Sequence, residues 1–164
     1  MFGYSGSRPL DVSPYLKVLA SHSPGHPHGW GIATMYGAAV NVEKEPKCAW
    51  VSDYLRSRLD YPIEAATVIA HIRQATCGSM AYINCHPFTK KDASNRTWTL
   101  AHNGTIFDSP LLDTYKGVQL GSTDSERILC HIIRRSNNLL SSVSDTDDAS
   151  LRFQMVDRVI LETA

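Results

Sequence analysis

The sequence predicts an α+β or layered αβ domain in which short strands alternate with capped helices. The strongest strand signals lie at residues 30–36 and 65–72, where runs of apolar residues have strand length. The strongest helix signal follows Ser122 and Thr123, where apolar residues recur at helical spacing. With 164 residues, 43% apolar and 20% charged, the chain fits one soluble globular domain. The predicted strands are few for the helices that must cover them.

The first half of the chain is expected to hold four strands and two helices. A strand at residues 2–5 precedes a helix that opens at Ser13 and Pro14 and ends near residue 21, because proline suits the first helical turn. Two strands at residues 30–36 and 38–42 surround Gly37, and a helix over residues 53–59 has Ser52 as its cap. A buried strand at residues 65–72 completes this half.

The second half opens with a long irregular stretch, residues 74–96, before a strand at residues 98–101. Such a stretch inside a compact domain is more often functional than idle. A helix then begins at Ser122 or Thr123, with Glu126 at the position that a capping box requires. Its apolar stripe comprises Ile128, Leu129, Ile132 and Ile133.

Residues 141–150 are polar and acidic, which indicates a linker. A last helix is expected after this linker, with an apolar face that needs a partner. That face comprises Leu151, Met155, Val156, Val159 and Ile160.

Charge and composition exclude several classes of protein. Sixteen basic and sixteen acidic side chains give a net charge of zero, and no basic run is present, so no nucleic-acid partner is expected. No apolar run approaches twenty residues and the first residues do not resemble a secretory signal, so no membrane partner is expected. The four cysteines form no CxxC pair, which favours reduced thiols in a cytoplasmic protein over a disulfide framework.

Four polar clusters lie where predicted strands end or a helix starts, which is where binding residues are often placed. They read HPHGWG at residues 26–31, HIRQATCG at 71–78, HNG at 102–104 and STDSE at 122–126. Arg73 is either a rim residue or a planar fork that grips a carboxylate. Asp124 is by itself an acid favoured in the first helical turn. Asn103 and Gly104 either turn a hairpin or present two donors to a developing oxyanion.

Histidines and cysteines leave two weaker alternatives. The histidines of the SHSPGHPHG loop lack the spacing of a zinc motif, so no metal is expected. A hydrolytic pair would combine Cys77 or Cys85 with His71 or His86, and spacing alone does not support it.

Taken together, the clusters resemble those of the class-II glutamine amidotransferases, above all the small stand-alone members. Those members carry HPxGWG, AHIRxAT, NxHPF, LAHNGTI and a TDSE helix in this order. The matching segments here are residues 26–31, 70–76, 84–88, 100–106 and 123–126. The resemblance runs from Phe2 to about Ile133.

The resemblance implies a layered αββα amino-terminal-nucleophile (Ntn) hydrolase-like fold. It implies hydrolysis of the side-chain amide of L-glutamine or of a γ-glutamyl amide, through a cysteine thioester and without a cofactor. In the family's pattern Arg73 grips the substrate carboxylate, Asp124 pairs with its ammonium, and Asn103 and Gly104 form the oxyanion hole. The further substrate-binding positions implied are His26, Gly29, Trp30, Gly31, Thr76 and His86.

The sequence departs from the family pattern at its start and at its end. The family's nucleophile is an amino-terminal cysteine whose own α-amino group serves as base. Here the chain begins with Met1 and Phe2, so the cysteine is expected just upstream of Met1. Family members also continue beyond the position of Ala164, so residues 1–164 are expected to be one domain truncated at both ends.

A chain of this kind is expected to be inactive or nearly so. Its apolar faces would be covered by a second copy or by a partner chain. The alternative is a non-catalytic glutamine-binding or interaction module.

Overall fold

Two antiparallel sheets carry the fold within residues 1–141 and 149–163, the part that the computed structural model describes. The larger sheet has the strand order β1-β4-β2-β3, and the smaller sheet pairs β5 with β6. The strands are β1 Phe2–Asp11, β2 Trp30–Tyr36, β3 Ala39–Glu45, β4 Glu64–Ile72, β5 Phe88–Lys91 and β6 Thr97–Leu100. The helices are α1 Ser13–Ser21, α2 Asp53–Leu59, α3 Pro110–Asp113, α4 Asp124–Ser141 and α5 Ala149–Thr163.

The larger sheet is centred on β4, which lies between β1 and β2. Val68 and Ala70 on β4 are fully buried, and Leu16 of α1 and Leu55 of α2 belong to the same apolar cluster. The start of β1 and the start of β2 both pair with the end of β4. The polar residues that follow β4 therefore emerge between two strand ends.

The smaller sheet is covered by α4. Phe88 on β5 packs with Leu129 and Ile133 of α4. A second cluster joins Ile132 of α4 to Val159 of α5. The beginning of α4 is thereby fixed beside the segment that follows β6.

Local signals placed α1 and α2 correctly. α1 begins at Ser13 with proline in its first turn. The Ser52 hydroxyl accepts a hydrogen bond from the Leu55 N–H at 3.0 Å, which is the predicted cap of α2.

The start of α4 forms only half of a capping box. The Thr123 hydroxyl accepts from the Glu126 N–H at 3.2 Å, as the pattern predicts. The Glu126 carboxylate instead accepts from the N–H groups of Leu120 and Gly121, both at 2.7 Å. It therefore fixes the approach to the helix rather than the N–H of its own cap.

Residues 74–96 are not wholly irregular, because they contain a 3-10 turn at Tyr82–Asn84 and the strand β5. Strand β5 was not predicted because only one side chain of its sequence FTKK, Phe88, is buried. The short helix α3 was also not predicted. The hairpin interpretation of Asn103 and Gly104 is wrong, because neither residue has a positive φ and β6 is followed by irregular backbone.

The predicted linker at residues 141–150 falls mostly on 142–148, outside the described residues. The apolar face of α5 is partly covered: Val159 is fully buried, whereas Met155 and Val156 are half-buried. Ile160 is 47% exposed and Phe153 72% exposed, so part of the helix has no cover among the described residues. The side chain of Leu151 lies outside the description. No helix within residues 1–141 and 149–163 has the length and apolarity to cross a membrane.

Candidate active site

Polar side chains from distant parts of the chain converge on one cavity of about 200 Å³. They come from the segments after β4 and β6, from the start of α4, and from two loops. The lining comprises His26, His71, Arg73, Gln74, Ala75, Thr76, Cys77, His86, His102, Asn103, Gly104, Thr105, Thr123, Asp124 and Ser125. The convergence follows from the topology, which ends β4 and β6 and begins α4 at one edge of the molecule.

Arg73 supplies a buried cation to this cavity. Its side chain is 4% exposed, so the rim interpretation is wrong. The Nη2 group donates to the carbonyls of Cys77 at 2.7 Å and Gly78 at 3.2 Å, and Nη1 donates to Ser79 at 3.2 Å. A guanidinium has five N–H donors, so Nε–H and one Nη1–H remain for an anionic ligand.

Asp124, the first residue of α4, supplies a buried carboxylate and is 3% exposed. Oδ2 accepts from the Ile106 N–H at 2.7 Å, and Oδ1 accepts from the Cys77 thiol at 3.2 Å. Each carboxylate oxygen can accept a second bond. Asp124 therefore holds the segment after β6 in place and keeps capacity for a cationic ligand.

Asn103 and Gly104 lie on the exposed side of the cavity wall. Their segment is fastened by a 3.1 Å hydrogen bond between His102 Nδ1 and the Ser125 hydroxyl. Within the described residues, no hydrogen bond occupies the Asn103 side-chain amide or the Gly104 N–H. Both donors are thus available to a ligand oxygen.

Two neutral histidines, His71 and His86, line the cavity. The rings of His71 and His86 have centroids 4.4 Å apart, and the residues are 5% and 6% exposed. Burial lowers the pKa of His71 to about 4 and that of His86 to about 3, with nearby positive charges adding to the effect. Neither ring carries a charge at neutral pH.

These histidines make stability fall with acid. Below pH about 6.5 the unfolded chain protonates both rings while the folded protein does not, so the unfolded state binds more protons. Between pH 6.5 and 5 we expect a loss of about 2 kcal/mol per histidine in the free energy of unfolding. Urea unfolding at pH 7 and pH 5 measures this loss, and His86→Gln should reduce it. Equal pH dependence in the variant and the parent chain would contradict this account.

Gly29, Trp30 and Gly31 do not line the cavity, contrary to the role that the family pattern implied for them. They lie behind its wall. A Cβ on Gly29 would stand 2.6 Å from Cys85 Sγ, and one on Gly31 would overlap the carbonyl oxygen of His86. Trp30 is 2% exposed in the core. The two glycines therefore permit close approach of other protein atoms, a thiol at Gly29 and a carbonyl at Gly31, rather than of a ligand.

His26, Thr76 and His86 do line the cavity. The sequence had not assigned a role to His102 or Ser125, which hold the cavity wall together. His102 directly precedes Asn103 and Ser125 directly follows Asp124. These neighbouring positions are the one feature of the sequence that could have pointed to them.

The cysteine interpretations gain no support from the geometry. Cys77 lines the cavity, but burial above all raises the pKa of its thiol, which donates to Asp124. A reactive thiol needs a lowered pKa. Cys85 is fully buried and its thiol contacts the carbonyls of Glu45 and Ala81, each at 3.5 Å. Among the described residues, no group of three or more His, Cys, Asp or Glu side chains is placed to hold a metal ion.

Comparisons with known proteins point to one family. A sequence model of the glutamine amidotransferases class-II matches residues 1–162. The YafJ protein of Escherichia coli (strain K12) is 35% identical over 138 residues, which cover 82% of this chain and 54% of YafJ. The crystal structure of a glutamine amidotransferase predicted in Pseudomonas aeruginosa PA01 matches with a TM-score of 0.57 and 28% identity, over 83% of this chain and 52% of that one.

A more distant structure extends the likeness in fold. Glutamine phosphoribosylpyrophosphate amidotransferase from B. subtilis matches 98% of this chain and 32% of its own, with a TM-score of 0.63 and 18% identity. These neighbours confirm the predicted Ntn-type α+β fold. The chain spans about half the length of YafJ and of the Pseudomonas protein.

Proposed function

We propose, since this chain belongs to the class-II glutamine amidotransferases, that its cavity binds L-glutamine or a γ-glutamyl amide and serves hydrolysis of the side-chain amide. The observation that carries the proposal is that Arg73 and Asp124 line the same cavity and are only 4% and 3% exposed. Burying unpaired charges is costly. A free α-amino acid brings a carboxylate for Arg73 and an ammonium for Asp124, so it compensates both.

The donors of Asn103 and Gly104 suit the chemical step. When a thiolate attacks the amide carbon, negative charge develops on the amide oxygen, and two preorganised N–H donors stabilise it. Collapse of this intermediate breaks the C–N bond, releases ammonia after protonation and leaves a thioester. Water then cleaves the thioester, which yields glutamate and restores the thiol.

The register of β1 and β4 supports a nucleophile supplied ahead of Met1. Phe2 pairs with Ala70 and Gly3 with Ile69, so each step back along β1 is a step forward along β4. Continued in this register, the second position ahead of Met1 stands opposite Arg73. Directly opposed residues of antiparallel strands point to the same face of a sheet. A cysteine there would share the face of Arg73.

An interaction module in which the polar loops have no role explains this cavity less well. It gives no reason to bury Arg73 and Asp124 together. A non-catalytic glutamine-binding module would share the binding site but release no ammonia, so a turnover assay separates it from an amidohydrolase.

Ligand titration followed by ¹H–¹⁵N NMR tests the binding proposal. Glutamine should shift the amide signals of residues 103–106, and Arg73→Lys should weaken its binding about tenfold, because the three donors of a lysine ammonium cannot serve the three carbonyls that Arg73 holds and the ligand as well. The matched ligands are 4-carbamoylbutanoate, which lacks the α-amino group, and 4-aminobutanamide, which lacks the α-carboxylate. Both should bind more weakly than glutamine to the parent chain.

The pattern across the ligands decides the outcome. Arg73→Lys should weaken the binding of glutamine and of 4-carbamoylbutanoate but leave that of 4-aminobutanamide unchanged. Absence of any shift with glutamine, or equal binding of all three ligands, would contradict the proposal.

A further inference from the structure

Lys44 lies on β3, outside the cavity lining, yet it holds the segment that carries His86. Its Nζ donates to the carbonyl of Cys85 at 2.9 Å and contacts the carbonyl of Pro87 at 3.5 Å. These two residues flank His86 on either side. One ammonium group thus fixes the backbone before and after a ring of the cavity wall.

The surroundings of Lys44 favour this geometry. The ammonium lies over the ring of Tyr82 at 5.0 Å and over that of Phe88 at 5.5 Å. Burial lowers the pKa of Lys44, and within the described residues Lys44 forms no ion pair with a carboxylate. The groups in contact with its ammonium are therefore carbonyl oxygens and aromatic faces, all of which belong to the segment around His86, and Glu126 attracts it from farther away.

The backbone of His86 is also confined by Gly31, the residue of β2 that pairs with Lys44. Gly31 on β2 lies directly against its carbonyl oxygen, which leaves no room for a side chain there. The ring of His86 is tilted against that of His71, with centroids 4.4 Å apart, and packs on Phe88 at 4.7 Å. A shift of the backbone at His86 would therefore disturb both ring contacts.

We infer that Lys44 is a positioning residue of this site: by clamping the carbonyls of Cys85 and Pro87, it sets the His86 ring in the cavity wall against His71. The consequence for glutamine rests on the proposed function, whereas the consequence for the ring does not. Lys44 touches no ligand and acts through His86.

Three variants test the inference. Lys44→Met keeps the apolar stem and removes the donors, Lys44→Arg keeps a charged donor, and Lys47→Met alters an exposed lysine nearby as a control. In protein with labelled histidines, Lys44→Met should abolish the nuclear Overhauser effect between the rings of His71 and His86 and shift the His86 ring signals. Lys44→Arg and Lys47→Met should preserve both.

Glutamine binding provides the second readout. Lys44→Met should raise the dissociation constant about tenfold, and Lys44→Arg should restore it. A fall in melting temperature with unchanged ring signals would overturn the inference, because that result marks a purely structural role. If Lys44→Met does not fold, Lys44→Gln, which keeps a neutral donor, should give an intermediate shift, and unchanged ring signals in it would overturn the inference. Altered ring signals in a chain that binds no glutamine would refute the proposed function alone.

Discussion

Cysteine placed two positions ahead of Met1 should make the cavity a covalent trap for glutamine analogues, whereas cysteine directly ahead of Met1 should not. The position two residues ahead of Met1 stands opposite Arg73 in the register of β1 and β4, on the face that lines the cavity. A diazomethyl ketone analogue of glutamine would form a thioether with this thiol and lose N₂. Mass spectrometry of tryptic peptides measures the adduct.

The cysteine directly ahead of Met1 is a matched control. Its side chain would point to the same face as Phe2, which stacks on Tyr15 of α1 at 5.8 Å, and so towards the helical layer. Once the initiator methionine is removed, both cysteines carry a free α-amino group as base, so the two chains differ by one residue in length and in the face to which the cysteine points. Adducts of equal yield at the two positions would contradict the assigned site.

The parent chain is the baseline for this experiment. In a well-studied serine protease, loss of the nucleophile lowers turnover by roughly six orders of magnitude. The parent should form no adduct in the cavity, because its Cys77 thiol is protonated and held by Asp124. Ammonia release from glutamine by the extended chain would separate an amidohydrolase from a binding module.

The elements that the sequence predicted well are those with local signals. Pro14 and Ser52 mark the starts of α1 and α2, since a proline at the first turn and a serine cap act on their own helix. The edge strand β5 has only one buried side chain, Phe88, so its pairing with β6 decides its structure. Backbone pairing of this kind leaves no periodic pattern in the sequence of the strand.

The site also has a part that the sequence predicted and a part that it did not. That Arg73, Asn103 and Asp124 belong together was inferred from resemblance to a family, because no spacing rule joins residues so far apart. The cavity does collect all three. Two relations had no signal in the sequence: Cys77 links Arg73 to Asp124, and Lys44 clamps the backbone around His86. Both depend on tertiary contacts between segments.

Replacing Asp124 by asparagine should remove most of the glutamine affinity while leaving the fold intact. The amide keeps the shape of the carboxylate, and its oxygen can still accept from the Ile106 N–H, now 2.7 Å from Oδ2. The negative charge that would pair with the substrate ammonium is lost. Removing one partner of a buried charge pair typically costs 2–5 kcal/mol, so affinity should fall about 30-fold or more.

Isothermal titration with two ligands measures this effect and separates it from damage to the cavity. Asp124→Asn should weaken glutamine binding strongly but leave that of 4-carbamoylbutanoate, which has no α-amino group, nearly unchanged. Asp113→Asn is the matched control, since Asp113 is an exposed acid that pairs with Lys116 and Arg127 outside the cavity. Equal weakening of both ligands by Asp124→Asn would mean that Asp124 only supports the wall, because the loss would then not depend on the ammonium.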